Sequence, residues 1–414
     1  MKRVLCWVLI ACCALPVAWA DRLQTSGLET NDFTATEWSI TGSPTIQTAP
    51  VHSGTYAMQV TNGQMYASRA FTAVTSGTFW SRAYVYIKTA FGTSVNHNPI
   101  MRHLGAVETC RADFKPSTAK FRVFNNITTT AVEMTGTLSV DTWYRLELRD
   151  LLSDTVGECE LRIYTGESTT ALETLSITGQ DTLSTNLSSM AFGNLIGANW
   201  STGNVYLDDI AINKSTGTFQ TSWPGPGKIF MVKPTSDNTV AWTKTGANCS
   251  ATTNTDCVDD EPGLPDDLSG YNTIGTSGTA DRFNKTALGA EIPSNADMIL
   301  VDVYARFGAS GSTGTRLCRV DLWDDAGAQS SGPDTGVGCD GTADTFAVMD
   351  AQSHLVFDLG SRSKATVDDA DFDLGYTNRS AHSNRVTSLW ANVEWTEAPP
   401  APATTLQRRM VHWE

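Results

Sequence analysis

The sequence predicts an all-β protein built from two antiparallel β-sandwich modules. Three observations carry this. Apolar residues come in short runs that alternate with polar ones, as strands with one buried face require. Gly, Ser, Thr and Pro punctuate these runs at the short intervals of turns between antiparallel strands. No stretch keeps a 3.6-residue apolar period through three helical turns. At 414 residues the chain is longer than one such sandwich needs.

Residues 1–20 read MKRVLCWVLIACCALPVAWA: two cations, Lys2 and Arg3, an apolar run broken at Pro16, then the small residues Ala18 and Ala20. This is the layout of a secretory signal peptide cleaved before Asp21, and it predicts a secreted, extracellular protein. The alternative is lipid anchoring through Cys12, because Leu9-Ile10-Ala11-Cys12 has the form of a lipobox. No later segment offers the roughly 20 apolar residues of a membrane-spanning helix.

Of nine cysteines, Cys6, Cys12 and Cys13 fall in that leading segment. The other six are Cys110, Cys159, Cys249, Cys257, Cys318 and Cys339, an even number that suits three disulfides in an oxidising compartment. Pairing within each half of the chain gives Cys110–Cys159, Cys249–Cys257 and Cys318–Cys339, one of about 15 connectivities open to six cysteines. Metal ligation by these cysteines is the competing reading, and no C-x-x-C or paired-histidine spacing supports it. Lys and Arg number 29 against 44 Asp and Glu; without Lys2 and Arg3 the balance is 27 against 44, a net charge of −17. Such a surface repels polyanions and disfavours nucleic acid and anionic membranes as partners.

The clearest seam follows the strand-like run from Val205 to Ile212, which ends in Lys214-Ser215-Thr216-Gly217. Trp223-Pro224-Gly225-Pro226-Gly227 then punctuates the chain before a new strand from Lys228. The modules are expected at 21–217 and 218–397, with a Pro/Ala linker and basic tail at 398–414. In the first module, residues 79–88 (FWSRAYVYIK) alternate cleanly. Phe79, Ala83, Val85 and Ile87 point to one side and Trp80, Arg82, Tyr84, Tyr86 and Lys88 to the other. Residues 143–149 (WYRLELR) alternate as well, with Tyr144, Leu146 and Leu148 expected inward.

Four short motifs in order carry a resemblance: Gly27-Leu28-Glu29-Thr30-Asn31-Asp32-Phe33 with Trp38, His52-Ser53-Gly54-Thr55-Tyr56-Ala57, Asp141-Thr142-Trp143-Tyr144-Arg145-Leu146, and Val205-Tyr206-Leu207-Asp208-Asp209-Ile210. Together they resemble the concanavalin A-like lectin/glucanase superfamily, in its laminin-G-like jelly rolls and related carbohydrate-binding modules, over about residues 21–215. The resemblance implies a jelly roll and a glycan partner. It also implies a structural calcium, held by Glu29 with Asp208 or Asp209 and backbone carbonyls, for which hard oxygen ligands are suited. Capping of a strand end is the plain alternative for Asp208 and Asp209. The second half, from the Trp-Pro-Gly segment through Ala241-Trp242-Thr243 to residues 385–395 (RVTSLWANVEW), resembles β-sandwich modules of bacteriophage virion proteins, which implies a structural or attachment role. A virion protein assembled in the cytosol needs neither a signal peptide nor disulfides, and the chain departs from that pattern on both counts.

Hydrolytic members of the superfamily carry Glu-x-Asp-x-x-Glu on one strand, so that two carboxylates face one sugar. No such string occurs here, so no catalytic residue is assigned and the chain is expected not to be an enzyme. Asp369-Ala370-Asp371-Phe372-Asp373 lacks the glycine and closing Glu of a calcium loop and reads as the solvated face of a strand. The acidic loop Asp259-Asp260-Glu261 with Asp266-Asp267 reads the same way. His97 and His103 have no evident carboxylate partner in the sequence. The face bearing Trp80, Arg82, Tyr84 and Tyr86 is a candidate sugar platform, since aromatic faces stack on the apolar faces of sugars while Arg and Tyr satisfy hydroxyls. Packing between the modules, or burial under a loop, accounts for the same residues.

The leading expectation is a secreted, non-enzymatic carbohydrate-binding or adhesive protein. The alternatives are a structural or self-associating attachment protein of virion-like descent, and a divergent polysaccharide-cleaving enzyme.

Overall fold

A computed structural model of the chain describes residues 22–397 apart from 34–37, 62, 89–94, 184–185, 198–203, 217–219, 250–252, 263, 291, 310–315, 324–328, 332–345, 349–354 and 365–371. The leading segment with Cys12, the tail at 398–414, Cys339, Asp369 and Asp371 lie outside the described residues.

The described chain is strands joined by turns, with three short 3-10 turns. The strands pair antiparallel into four sheets. The first runs in the order Glu173–Gln180, Gly157–Thr165, Thr142–Leu152, Gly77–Ile87, Val205–Lys214, Ala57–Val60, Thr45–Gln47, with Arg22–Ser26 also paired to Val205–Lys214. The second runs Thr130–Glu133, Lys120–Asn125, Glu108–Lys115, Asn98–Leu104, Leu187–Gly197, Gly63–Val74, Ser39–Thr41. These two sheets enclose one core, in which Phe79, Ala83, Val85, Ile87, Tyr144, Leu146 and Leu148 are all buried, the inward set that their alternation predicts. The larger of these, such as Phe79, Val85, Ile87, Leu146 and Leu148, each contribute on the order of 1.5–3 kcal/mol by leaving water, so the alternation fixes which face of the sheet turns inward. The core is also stapled covalently: Cys110, in the second sheet, is bonded to Cys159, in the first.

The remaining strands form two further sheets around a second core built from Val232 to Trp395. One is centred on Asp297–Ala309 and Asn384–Thr396, with Lys228–Val232 paired to the latter. The other contains Pro234–Thr239, Ala280–Lys285, Asp373–Asn378, Cys318–Trp323 and Gln329–Ser331. Cys249 is bonded to Cys257. Cys318 is also disulfide-bonded.

The two sandwiches meet over the outer face of Gly77–Ile87. Glu394 accepts hydrogen bonds from Arg22 Nη1 and Arg82 Nη1, each at 2.5 Å, and all three side chains are fully buried. Burial alone pushes the Glu394 carboxyl up, but the two guanidinium groups outweigh it and hold its pKa below the ordinary value. Tyr304 and Asn392 of the second sandwich donate to the Thr25 carbonyl of the first. The connecting segment crosses here too, where Arg82 Nη1 donates to Gly225 O and Gly227 N donates to Tyr84 Oη. Position 227 accepts only glycine without rearrangement, since a Cβ would run into Glu394 Oε1 and Arg82 Nη1.

Candidate functional site

The strand Gly77–Ile87 presents Trp80, Arg82, Tyr84 and Tyr86 on one face, as its alternation predicts, yet that face is largely closed. Trp80 is 8% exposed and Arg82 and Tyr84 not at all; Tyr86 is half-buried. Arg82 is spent on Glu394, Asp209 O and Gly225 O. Tyr84 lies under the His52 ring, with centroids 3.7 Å apart, and burial pushes its hydroxyl pKa up. Trp80, Arg82 and Tyr84 therefore do not form the open sugar platform expected of this face, and of the four only Tyr86 is not buried. Three of them are interior, because the second sandwich and the connecting segment cover that end of the sheet.

The other end of the same face carries a row that runs across the strands. Gln59 is paired with Tyr206, Tyr206 with Tyr86, and Tyr86 with Trp143, so their side chains share the face at one register. Ring centroids lie 6.0 Å apart for Tyr86–Tyr206 and 5.3 Å for Tyr86–Trp143, with interplanar angles of 77° and 55°. Tyr206 is buried while Gln59, Tyr86 and Trp143 are half-buried. Gln59 Nε2 donates to Tyr206 Oη at 3.1 Å, and Tyr86 Oη donates to the exposed Asp141 at 3.2 Å. Lys88 stands 6.0 Å from the Tyr206 ring. The sequence displayed Trp143 and Tyr206 within motifs, but the cross-strand register that joins them to Tyr86 is set by pairing between distant segments.

The residues expected at a calcium site come together beside this face. The register of Val205–Lys214 shifts against Gly77–Ile87 between Asp208 and Ala211, and Asp209 takes a left-handed φ of 47° there. Asp tolerates that conformation, and the bulge re-aims both carboxylates towards the loop of residues 52–56. Asp208 Oδ2 accepts from His52 N at 2.8 Å and Ser53 N at 3.3 Å. Glu29 accepts from Thr55 N and Tyr56 N. Burial and then the charges of Asp209 and Glu29 push the Asp208 pKa well above the ordinary carboxylate range. Asp209 is engaged differently: Oδ1 accepts from Ser53 Oγ and Ile229 N, both at 2.7 Å, and Oδ2 lies 2.6 Å from His52 Nδ1. His52 Nε2 in turn meets Glu167 at 2.9 Å. Burial lowers the His52 pKa, but the hydrogen bonds and charges of Asp209 and Glu167 outweigh it and raise the pKa overall.

No group of three or more His, Cys, Asp or Glu side chains poised around a metal occurs among the described residues. Glu29 and Asp208 are two mutually repelling carboxylates with hard oxygen atoms in a buried loop junction, and both accept hydrogen bonds from backbone N–H groups there, Asp208 Oδ1 from Asp209 N at 2.8 Å. Asp209 differs in its partners, since its oxygens are engaged by the side chains of His52 and Ser53 as well as by Ile229 N.

Both histidines have carboxylate partners, against the sequence expectation. His97 Nε2 lies 2.9 Å from Glu133 in a half-buried surface pair. His103 bridges the first core: Nε2 is 2.9 Å from Ser81 Oγ and Nδ1 is 3.5 Å from Asp150, whose other partner is Thr109. Ser, His and Asp thus stand in the order of a nucleophilic triad, but all are sealed between the two sheets. Substrate has no approach to Ser81. Asp373 is also corrected, since it is buried and paired with Arg282 at 2.5 Å rather than solvated. In the acidic loop, burial and then the neighbouring Asp266 and Asp259 hold the Asp260 pKa up at about 6.

No family model and no curated protein matches the chain. Among solved structures it is similar to the cellulose-induced protein Cip1, with 16% identity, 47% of this chain and 99% of that chain covered, and a TM-score of 0.35. It is similar to arcelin-5, a lectin-like defense protein from Phaseolus vulgaris, with 10% identity, 45% and 95% covered, and a TM-score of 0.31. A family 7 alginate lyase gives 10% identity, 46% and 97% covered, and a TM-score of 0.33. Similarity at this level assigns the chain neither a family nor an activity.

Proposed function

We propose that this is a secreted, non-catalytic glycan-binding protein of two modules, 21–217 and 218–397, whose ligand lies along the row Gln59–Tyr206–Tyr86–Trp143. The observation that carries the reading is the register of that row. Its members sit on adjacent strands, ~4.8 Å apart in the pairing direction, so a glycan chain crossing the strands passes over buried Tyr206 and meets the half-buried Gln59, Tyr86 and Trp143 in turn. Half-exposed Tyr86 and Trp143 supply stacking faces, and Gln59 and Asp141 supply partners for sugar hydroxyls. The non-catalytic reading draws support from the burial of Ser81, His103 and Asp150.

The proposal extends to a calcium ion held by Glu29 and Asp208 with carbonyls of the loop at 52–56. Its role there is to neutralise a buried carboxylate pair and tie that loop to the last strand of the first sheet pair. It extends also to the pairing of Cys318 with Cys339 and to cleavage before Asp21.

The test is a glycan array and affinity electrophoresis with the intact mature protein, wild type against Trp143→Ala. Glycan retention by the wild type that fails in the variant supports the reading. Retention unchanged in the variant moves the site elsewhere, and new reducing ends released from a retained polysaccharide make the protein an enzyme.

A further inference from the structure

A cavity of about 310 Å³ lies between the two sandwiches, lined by Thr30, Asn31, Asp32 and Tyr56 of the first and by Glu261 and Leu264 of the second. Its volume is at the lower end of the range for small-molecule sites and matches a single sugar ring better than an oligomer. The wall from the first sandwich is tied down by its own hydrogen bonds. Glu29 accepts from Thr55 N and Tyr56 N, which ties the turn at 28–32 to the loop that bears Tyr56. Within the turn, Asn31 N donates to Leu28 O, and Thr30 Oγ1 donates to Asp32 O. Leu28 and Asn31 hold left-handed φ values of 61° and 52°, a strained conformation that persists for non-glycine residues where the surroundings over-determine it. On the opposite wall Lys233 Nζ donates to Glu261 Oε1 at 2.6 Å, and Leu264 N donates to Glu261 O at 2.8 Å.

The lining combines carboxylate, amide and hydroxyl groups with one aromatic ring and one aliphatic side chain. Leu264 is 79% exposed and offers an aliphatic surface at the cavity. Polyols are recognised by this mixture, because carboxylate and amide oxygens accept from ring hydroxyls while the ring and the leucine cover C–H faces. Two carboxylates at the wall, in a chain of net charge −15, oppose uronates and sulfated sugars. We propose that this cavity is a second ligand site, taking one uncharged pyranose unit, distinct from the row on the first sheet and complete only when both sandwiches are in place. It does not depend on the row: a sugar can enter it whether or not a polysaccharide binds at Trp143.

The test uses the intact mature protein and saturation-transfer NMR with free glucose, galactose, mannose, N-acetylglucosamine and glucuronate. Binding of at least one neutral sugar and not of glucuronate is expected. The signal should survive Trp143→Ala and weaken at least tenfold in Leu264→Arg, which fills the mouth from an exposed position and spares the fold. Tyr56→Ala, with its melting curve recorded alongside, should weaken it as well. The proposal is overturned if no neutral sugar gives a signal, if glucuronate binds equally, if Leu264→Arg leaves the signal unchanged, or if Trp143→Ala alone abolishes it.

Discussion

Arg82 and Glu394 stand 312 positions apart in the chain and meet at 2.5 Å with no solvent contact. Arg82 lies at the middle of the first sandwich's outer face and Glu394 on the long strand Asn384–Thr396 of the second, so the pair holds the two sandwiches in one orientation.

Removing one partner leaves a buried charge uncompensated, at a cost of about 3–5 kcal/mol. Glu394→Ala strands both Arg22 and Arg82 and is expected to lower the melting temperature more than any single surface ion-pair variant, such as Lys228→Ala. Thermal unfolding followed by circular dichroism checks this, and equal shifts for the two variants would refute it. Gly227→Ala, whose Cβ intrudes on the same pair, should shift the curve in the same direction.

The same carboxylate predicts an acid limb. The folded pKa of Glu394 lies below its ordinary value of 4.5. Its contribution is therefore fully present above pH 4.5 and is lost as pH falls through the folded value. Denaturant midpoints measured from pH 7 down to pH 3 should fall in the wild type and fall less steeply in Glu394→Gln. Parallel profiles would remove Glu394 as the source.

Substitutions on the outer face of Gly77–Ile87 and its neighbour Thr142–Leu152 should divide by position. Trp80→Ala and Tyr84→Ala remove buried rings and should cost about 3–5 kcal/mol of stability. Tyr86→Ala and Trp143→Ala, at half-buried positions, should unfold the protein less and weaken glycan retention by about 1 kcal/mol or more. Melting curves read beside affinity electrophoresis separate the two classes, and a collapse of Trp143→Ala on heating would return that residue to the core.

Calcium should stabilise the native state by RT ln(1 + [L]/Kd), about 2.7 kcal/mol at a hundredfold excess over Kd. Chelation is expected to lower the melting temperature of the wild type and to leave Glu29→Gln unmoved, whereas Asp209→Asn should retain the response because its oxygens serve His52, Ser53 and Ile229. A wild type indifferent to chelator and to added calcium has no such site.

The cross-sheet bond between Cys110 and Cys159, 49 residues apart, should contribute about 4 kcal/mol, mainly by restricting the unfolded chain. Cys110→Ser with Cys159→Ser, compared with the Cys249→Ser and Cys257→Ser pair whose loop spans 8 residues, should show the larger drop in denaturant midpoint. Peptide mapping without reduction also identifies the partner of Cys318.

The sequence by itself determined the fold class and the inward faces. A period of two fixes which residues of a strand lie together, and burial of the apolar set then fixes which way they point. Phe79, Val85, Tyr144 and Leu148 follow from that alone. Pairing within each half of the chain favoured Cys110–Cys159 and Cys249–Cys257 among about 15 connectivities, and both bonds are present. What it left open is which outward residues stay outside. Trp80, Arg82 and Tyr84 share a face with Tyr86 by local periodicity, but only packing against Glu394 and the segment at Gly225–Gly227 closes one end of that face and spares the other. The partners of His97 and His103 were hidden for the same reason, since Glu133 and Asp150 arrive from other strands through pairing that no local window contains. Asp208 and Asp209 are adjacent in sequence and looked equivalent; a bulge with a left-handed φ at Asp209 turns both to the loop at 52–56, where Asp208 accepts from backbone N–H groups and Asp209 from the side chains of His52 and Ser53 and from Ile229 N of the second sandwich. Local chemistry sets what each side chain can do, and long-range register and module contact decide which of them meets solvent.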